Sequence, residues 1–560
     1  MKRKATALAL ILAMILSLVS GCGSLAGEEP AAKTEAATPS QSAAAPTQSA
    51  AVESTDAVTA SPEPAGERTK LTIALWETNP DFLTGDDKVY RKVQDKLNIE
   101  IEPIVITWDD YKDKLNTWAA SSELPDLFAI DAIGSKTFFN WADGEIIRAL
   151  PTDFGKYPQL ANLFKQPDII ATKYKDKFYA LPRPTGPNIS PHMWAYSRAC
   201  YIRTDWLKKL NIPMPETFPQ FHDALKAIQA GDPEGNGKPV TGLVTYDTGF
   251  LAFVTLAFCP ASADSWIKDE TDGKIRQAFY TPSYVDALKA LRSLYKDGIL
   301  DKDFAIQKTE EGLAKFANGL AAAACFQLTS PLADYMGFFG NTFQKAFPNK
   351  KLAESIGFVP PLKNEKDGKR TVFTYPGFWS ESYISAAVDD AKMDKILQLV
   401  DYTLSPEFLE IQRYGLEGVD FTKSGDKYTI IREKDATGTF IPLQDKYKFL
   451  AGFKFLGTWA GDTLPEDPAV PADVNKICND YLSWVPQNTV VPTVYFDPVF
   501  MSLPLKNEWT ADIGADTIQI IIGKEPVEDM YKKVIDGYKA KGLDAMVDEV
   551  NAALAAKGIK

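Results

Sequence analysis

Between Lys70 and Ile130 the apolar residues switch back and forth between a period of two and a helical period, and this alternation narrows the fold more than any other feature of the chain. Lys70-Leu71-Thr72-Ile73-Ala74-Leu75-Trp76 alternates in polarity and is bounded by Asn79-Pro80, which predicts a strand. From Asp86 to Leu97 the apolar residues Tyr90, Val93 and Leu97 recur at helical spacing, and Ile99 to Ile106 predicts a second strand. Thr107 can cap the next helix with Asp110 three residues on, and Tyr111, Leu115 and Trp118 make its buried stripe. Pro125-Asp126 opens a third strand over Leu127 to Ile130. Strand, helix, strand, helix, strand with short connections is the pattern of an α/β protein, a parallel sheet covered by helices. Sheets of this kind bind ligands beyond the carboxyl ends of their strands. Trp76 and Asp131 fall at such ends.

Tyr179 to Pro182 and Ala199 to Arg203 predict further strands, and a helix starts over Asp205 to Leu210. From about Pro215 to Phe316 the pattern is mostly helical with one Gly/Asp-rich loop, the expected second lobe. Ala321 to Phe326, Ile356 to Val359 and Ser380 to Ala387 predict a return to sheet. Ala511 to Ile522 and Val527 to Leu554 are helical, broken at Gly523 and Gly542.

The N-terminus is of another kind. Lys2, Arg3 and Lys4 precede an apolar run from Ala5 to Val19, the charged and apolar regions of an export signal and too short to span a bilayer as a helix. The run ends Leu18-Val19-Ser20-Gly21-Cys22, which resembles the bacterial lipobox; cleavage before Cys22 would leave residues 1–21 as the signal peptide and put acyl chains on the cysteine sulfur. The bland alternative is a plain secretory signal with an incidental cysteine. From Gly23 to about Glu67 there is almost no large apolar residue, so residues 22–67 are expected to be a disordered, lipid-anchored tether whose burial cannot offset its ordering entropy.

A formal charge of -13 and no basic cluster beyond the first residues exclude a nucleic-acid role. Cys200, Cys259, Cys325 and Cys478 are widely spaced, with no CxxC and only two histidines in the chain, which argues against a zinc or iron–sulfur site. Cys259 and Cys325 lie in apolar surroundings, where a buried thiol is the common outcome.

Several segments, taken in order, resemble the bacterial extracellular solute-binding family to which maltose-binding protein belongs, in particular its lipoprotein branch from oligosaccharide ABC importers. They are Trp108-x-x-Tyr111-x-x-Lys114-Leu115 with Ala120 to Asp126; Lys175-Asp176-Lys177-Phe178-Tyr179-Ala180-Leu181-Pro182; Tyr201-Ile202-Arg203-Thr204-Asp205-Trp206-Leu207 with Pro215 and Thr217; Phe316-Ala317-Asn318-Gly319; and Ser405-Pro406-Glu407 with Tyr414 to Val419. Asn211 stands where the family usually has glycine. The resemblance implies a two-lobe α/β body over 68–560, with parallel or mixed sheets, hinge crossovers and a ligand cleft that closes. Lobe 1 is expected over about 68–200 plus part of 320–420, and lobe 2 over about 205–320 plus much of the C-terminal part. It further implies carbohydrate capture without catalysis, permease subunits as partners, a monomer, and a place on the outer face of the cytoplasmic membrane of a Gram-positive cell.

A sugar cleft needs aromatic rings for C–H faces and polar groups for hydroxyls. The chain has 11 Trp, 22 Tyr and 31 Phe, most of which must be core. Position selects Trp76 and Asp131 at strand ends. Arg183, after Leu181-Pro182, can fork onto hydroxyls or a sugar carboxylate, or form a surface ion pair. Trp194 and Tyr196 lie before the strand leading into the hinge. Trp379 and Trp459 stand in Gly-flanked segments expected to be loops. Gln327 and Glu417 are candidates from family position alone. Asp232-Pro233-Glu234-Gly235-Asn236-Gly237-Lys238 spaces oxygens as calcium requires and is similar to a calcium loop within the family, with side-chain oxygens from Asp232, Glu234 and Asn236 and the carbonyl of Lys238. No acidic residue closes that loop at Leu243, so a bare turn is the alternative to structural Ca2+; no other cofactor is expected.

Two other functions remain open on sequence: a lipid-anchored polysaccharide-degrading enzyme, and a sensor or adhesin module on the same fold. Paired carboxylates such as Asp109 with Asp110 are too close in sequence to flank one substrate, and no GxSxG, Walker or HExxH motif is present.

Overall fold

The computed structural model describes residues 67–558 apart from 77, 79–82, 84–85, 108–109, 186–198, 246–247, 327–340, 375–376, 437, 439, 459–471, 496–499 and 502. The proposed signal, Cys22 and the tether lie outside the described residues, as do Trp194, Tyr196, Gln327 and Trp459.

Strands β1 (Thr69–Ala74), β2 (Ile99–Pro103), β3 (Leu127–Ala129) and β4 (Ala180–Pro184) come first along the chain. β5 (Ala199–Arg203) and β6 (Thr241–Val244) begin a second sheet, β7 (Trp266–Lys268) and β8 (Ile275–Gln277) form a hairpin, and β9 (Ala321–Phe326) and β10 (Ile356–Val359) complete that second sheet. β11 (Phe378–Ile384) returns to the first. The orders are β2-β1-β3-β11-β4 and β10-β5-β9-β6. Both sheets are mixed: β1 runs parallel to β2 and β3, while β11 inserts antiparallel between β3 and β4.

Local chemistry explains the first elements. Asp87 caps the helix Lys88–Leu97, its carboxylate accepting from the amides of Val89 and Tyr90 at 2.9 Å each. The helix stops at Asn98, left-handed at φ 52. Thr107 is not the cap of the second helix: Asp110 holds that position ahead of Tyr111–Ser121, with its Oδ1 accepting from the Thr107 amide and hydroxyl. Asp126 pins β1 to β3, accepting from the Thr72 amide at 2.8 Å while its own amide donates to Thr72 Oγ1.

The first core packs β1, β2 and β3 against helices Lys88–Leu97 and Asp390–Thr403 and the segment 443–456. The second packs β5, β6 and β9 against helices Phe218–Ala230 and Pro282–Lys296. The C-terminal helices Ile513–Ile522, Val527–Ala540 and Leu543–Ala556 cover the β7–β8 hairpin. Residues 215–316, expected to be mostly helical, also contain β6 and this hairpin. No described helix is long and apolar enough to cross a membrane.

Candidate functional site: the cleft between the sheets

β3 ends at Ala129, and β11 lies beside it with Ser382 opposite Ala129. That register places Glu381 against the loop that leaves β3. Its Oε1 accepts from the amides of Ala132 at 2.7 Å and Ile133 at 2.8 Å, and from the Tyr383 hydroxyl at 3.0 Å. Asp131 is exposed in the same loop. Burial first, then the charge of Asp131, pushes the Glu381 carboxyl up to about 8, overriding donors that favour the anion. Near neutral pH Glu381 therefore carries a proton that its other oxygen can donate.

Trp379 lies in β11, not in a loop, and is half-buried. Its ring stacks on Trp76 with centroids 5.8 Å apart and planes at 13°. Phe455 meets Trp76 edge-on at 5.3 Å, Tyr111 does so at 5.4 Å, and the Arg183 guanidinium lies 5.2 Å from the Phe455 centroid. Trp76 is only 1 % exposed, so the indole expected to face the ligand supports from behind the one that does. Arg183 is half-buried, and its pKa is lowered by burial to about 9.

Facing this wall are Thr248, Ala252, Thr255, Ser262, Asp264, Trp266, Gln277 and Tyr284, with Thr517 from the C-terminal part. Together with Asp131, Phe378, Trp379 and Glu381 they bound a cleft of about 390 Å³, whose lining also includes Phe373 and Thr374, between β10 and β11. Ser262 Oγ and Gln277 Oε1 have no hydrogen-bond partner among the described residues. The cleft is of a size that suits a small organic ligand, and its lining mixes many polar side chains with aromatic ones.

Of the candidates from sequence, Asp131 and Trp379 line the cleft, whereas Trp76 and Arg183 stand behind it. Glu417 is exposed in the turn before the strand Phe421–Ser424 and is not a cleft residue. Sequence reasoning missed Glu381, although a carboxylate inside the run Phe378-Trp379-Ser380-Glu381-Ser382-Tyr383-Ile384 was a visible signal. It also missed the wall from Thr248 to Tyr284, which carried no signal once that stretch was taken as helical.

The Asp232–Lys238 loop does not fit calcium. Glu234 Oε1 accepts from Arg203 at 2.7 Å, the Trp206 indole at 2.6 Å and Lys350 at 2.5 Å. Asp232 accepts from the amides of Asn236 and Gly237, and Asn236 Oδ1 from the amide of Lys238. A cation would have to share Glu234 with two others, and among the described residues no three His, Cys, Asp or Glu side chains are grouped to hold a metal.

Residues 84–408, more than half of the chain, match the family described as bacterial extracellular solute-binding protein. A curated relative, the polygalacturonan/rhamnogalacturonan-binding protein YtcQ of Bacillus subtilis (strain 168), is 24% identical over 356 residues. The match covers 61% of this chain and 65% of YtcQ, just under two thirds of that relative. The S. pneumoniae substrate-binding protein FusA in complex with kestose superposes with a TM-score of 0.61 at 17% identity, covering 88% of this chain and 99% of FusA. The alginate-binding protein AlgQ2 without calcium ion gives a TM-score of 0.63 at 16% identity, covering 87% and 98%. At these identities the solved structures establish the two-lobe fold.

Proposed function

The chain belongs to the bacterial extracellular solute-binding protein family, and on that premise we propose that it is the capture subunit of an ABC importer for an oligosaccharide. The observation that carries this is the cleft itself: Trp379, backed by Trp76, offers a ring face on one wall, and hydroxyls, an amide and carboxyls are contributed by both walls. Indole faces stack on the C–H faces of sugars, and the polar groups answer their hydroxyls. A ligand touching both walls stabilises the closed arrangement, which a permease can read. YtcQ, named for pectic polysaccharides, and FusA, seen with kestose, support a carbohydrate. The lipobox-like stretch ending at Cys22 supports a lipid anchor holding a monomeric body outside the cytoplasmic membrane, beside permease subunits.

Calorimetry with a panel of oligosaccharides tests this. At least one glycan should release or absorb binding heat with unchanged chain length after incubation, and Trp379→Ala should weaken its Kd about tenfold, the scale of one lost aromatic contact of about 1 kcal/mol or slightly more. New reducing ends or unsaturated products would instead make the protein an enzyme, with Asp131 and the protonated Glu381 as the pair to examine.

A further inference from the structure

β5 and β9, the two middle strands of the second sheet, run antiparallel, and their register sets Cys200 directly opposite Cys325. Side chains alternate between the faces of a strand, and the cores on either side show which face these two take. Cys200, Ile202, Ala323 and Cys325 belong to the core shared with helices Phe218–Ala230 and Pro282–Lys296, whereas Ala199, Tyr201 and Ala324 belong to the core on the other face. The two cysteines are therefore cross-strand neighbours on one face, and the structure holds both as fully buried thiols. We propose that Cys200 and Cys325 are joined by a disulfide once the chain is outside the cytoplasm, stapling the middle strands of the second sheet. This rests on the extracellular family for its oxidising compartment.

Backbone spacing is within reach of the bond. Opposed residues of an antiparallel pair have Cα atoms about 4.5 to 5.5 Å apart, inside the roughly 4.4 to 6.8 Å that disulfides span. Burial first, then the Cys325 thiol beside it, pushes the Cys200 thiol well above its ordinary pKa. A thiol that does not ionise does not exchange, so the bond forms while the sheet assembles, before the core closes. Cys259 is placed elsewhere: it is buried in the core under the C-terminal helices, where its sulfur accepts from Ser283 Oγ at 3.4 Å. Cys478 belongs to helix Ala472–Asn488, which packs through Tyr481 and Val485 against the other face of the sheet. The oxidant is a low-molecular-weight disulfide. One cysteine thiolate attacks it and displaces half of it as a thiolate; the second cysteine then attacks the sulfur of the first and displaces the other half. The two cysteines lose two electrons, the reagent gains them, and the two cysteine protons end on the two released thiols.

The test is peptide mapping by mass spectrometry. The full chain, unfolded and reduced in guanidinium, is refolded in mixed reduced and oxidised glutathione, then alkylated with iodoacetamide in denaturant without reductant and digested. The same mapping is made on the chain exported with its own N-terminal segment and never reduced, so that the result does not hang on refolding. In both, most of the protein should yield the Cys200 and Cys325 peptides joined, lighter by two hydrogens than the free pair, with Cys259 and Cys478 alkylated. Cys325→Ala, which continues the run Ala321 to Ala324, should leave Cys200 alkylated. Alkylation of both Cys200 and Cys325 in the exported wild type, or a bond from either to another cysteine, overturns the proposal. Glycan binding by a protein with both thiols free would remove this bond and leave the capture reading standing.

Discussion

Glu381 is the residue at which burial, hydrogen bonding and charge most directly oppose one another. Its carboxyl titrates near 8 in the folded protein against an ordinary 4.5, so between those values the native state holds a proton that the unfolded chain has released. The contribution to stability is therefore complete below about pH 4.5 and lost as the pH rises through about 8. Melting temperature should fall over that window, with a slope approaching that of one proton, about 1.4 kcal/mol per pH unit. Glu381→Gln, which keeps the acceptor for Ala132 and Ile133 and cannot ionise, should flatten the slope; an unchanged slope would place the titration elsewhere. The neighbouring Trp76 was legible from sequence as a large residue at a strand end, but not its depth. Trp379, Phe455 and Tyr111, which cover it, come from parts of the chain far apart, and no local pattern brings them together.

At the scale of elements, the segment Tyr201 to Leu207 is used for support, not for ligand. Arg203, fully buried at the end of β5, pairs with Asp205 and Glu234 at 2.7 Å each and lies 4.0 Å from the Trp206 ring centroid. Lys350 joins the same carboxylates. The helix that follows, Thr204–Lys209, is capped at Leu210, and the next residue, Asn211, is left-handed at φ 56, a conformation for which glycine is the usual choice and asparagine the next. Removing one partner of a buried cation is costly, so Glu234→Gln should destabilise the protein by about 2 to 3 kcal/mol in denaturant unfolding. Calcium or a chelator should leave the wild-type melting temperature unchanged; a calcium-dependent rise would show that the loop rearranges to take the ion. β6 escaped the sequence reading because it is four residues long and contains Gly242, whose place follows from close approach: a Cβ there would lie 2.6 Å from Ile299 Cγ2. The β7–β8 hairpin is three residues a side, and Trp266 packs on Phe500, 4.8 Å away, a contact made only once the C-terminal part has folded back.

For the whole molecule, β4 of the first sheet is followed along the chain by β5 of the second, and β10 of the second by β11 of the first, so the two sheets are linked by more than one connection. A contact between distant segments is made by Leu505 and Lys506: the buried Lys506 ammonium donates to the Gly134 carbonyl at 2.9 Å, while the Leu505 and Lys506 amides donate to Glu549 of helix Leu543–Ala556. This ties the loop after β3 to the C-terminal helices. A ligand that touches both walls should draw the lobes together, giving a smaller radius of gyration in X-ray scattering on adding the glycan found by calorimetry. A glycan that binds without compaction would mean that the cleft is already closed.

The sequence alone determined what depends on local order: the alternation that makes β1, β2 and β3 with their helices, the helices broken at Gly523 and Gly542, and a series of family-like segments, because periodicity and turn chemistry act over a few residues. Only the tertiary structure decided what depends on register and packing between distant segments. The pairing of β11 between β3 and β4 buried Glu381 beside Asp131, and the fold back of the C-terminal part set Thr517 and the β7–β8 region opposite Trp379. Burial and neighbouring charge, which no single stretch of sequence carries, are what turn those side chains into a site.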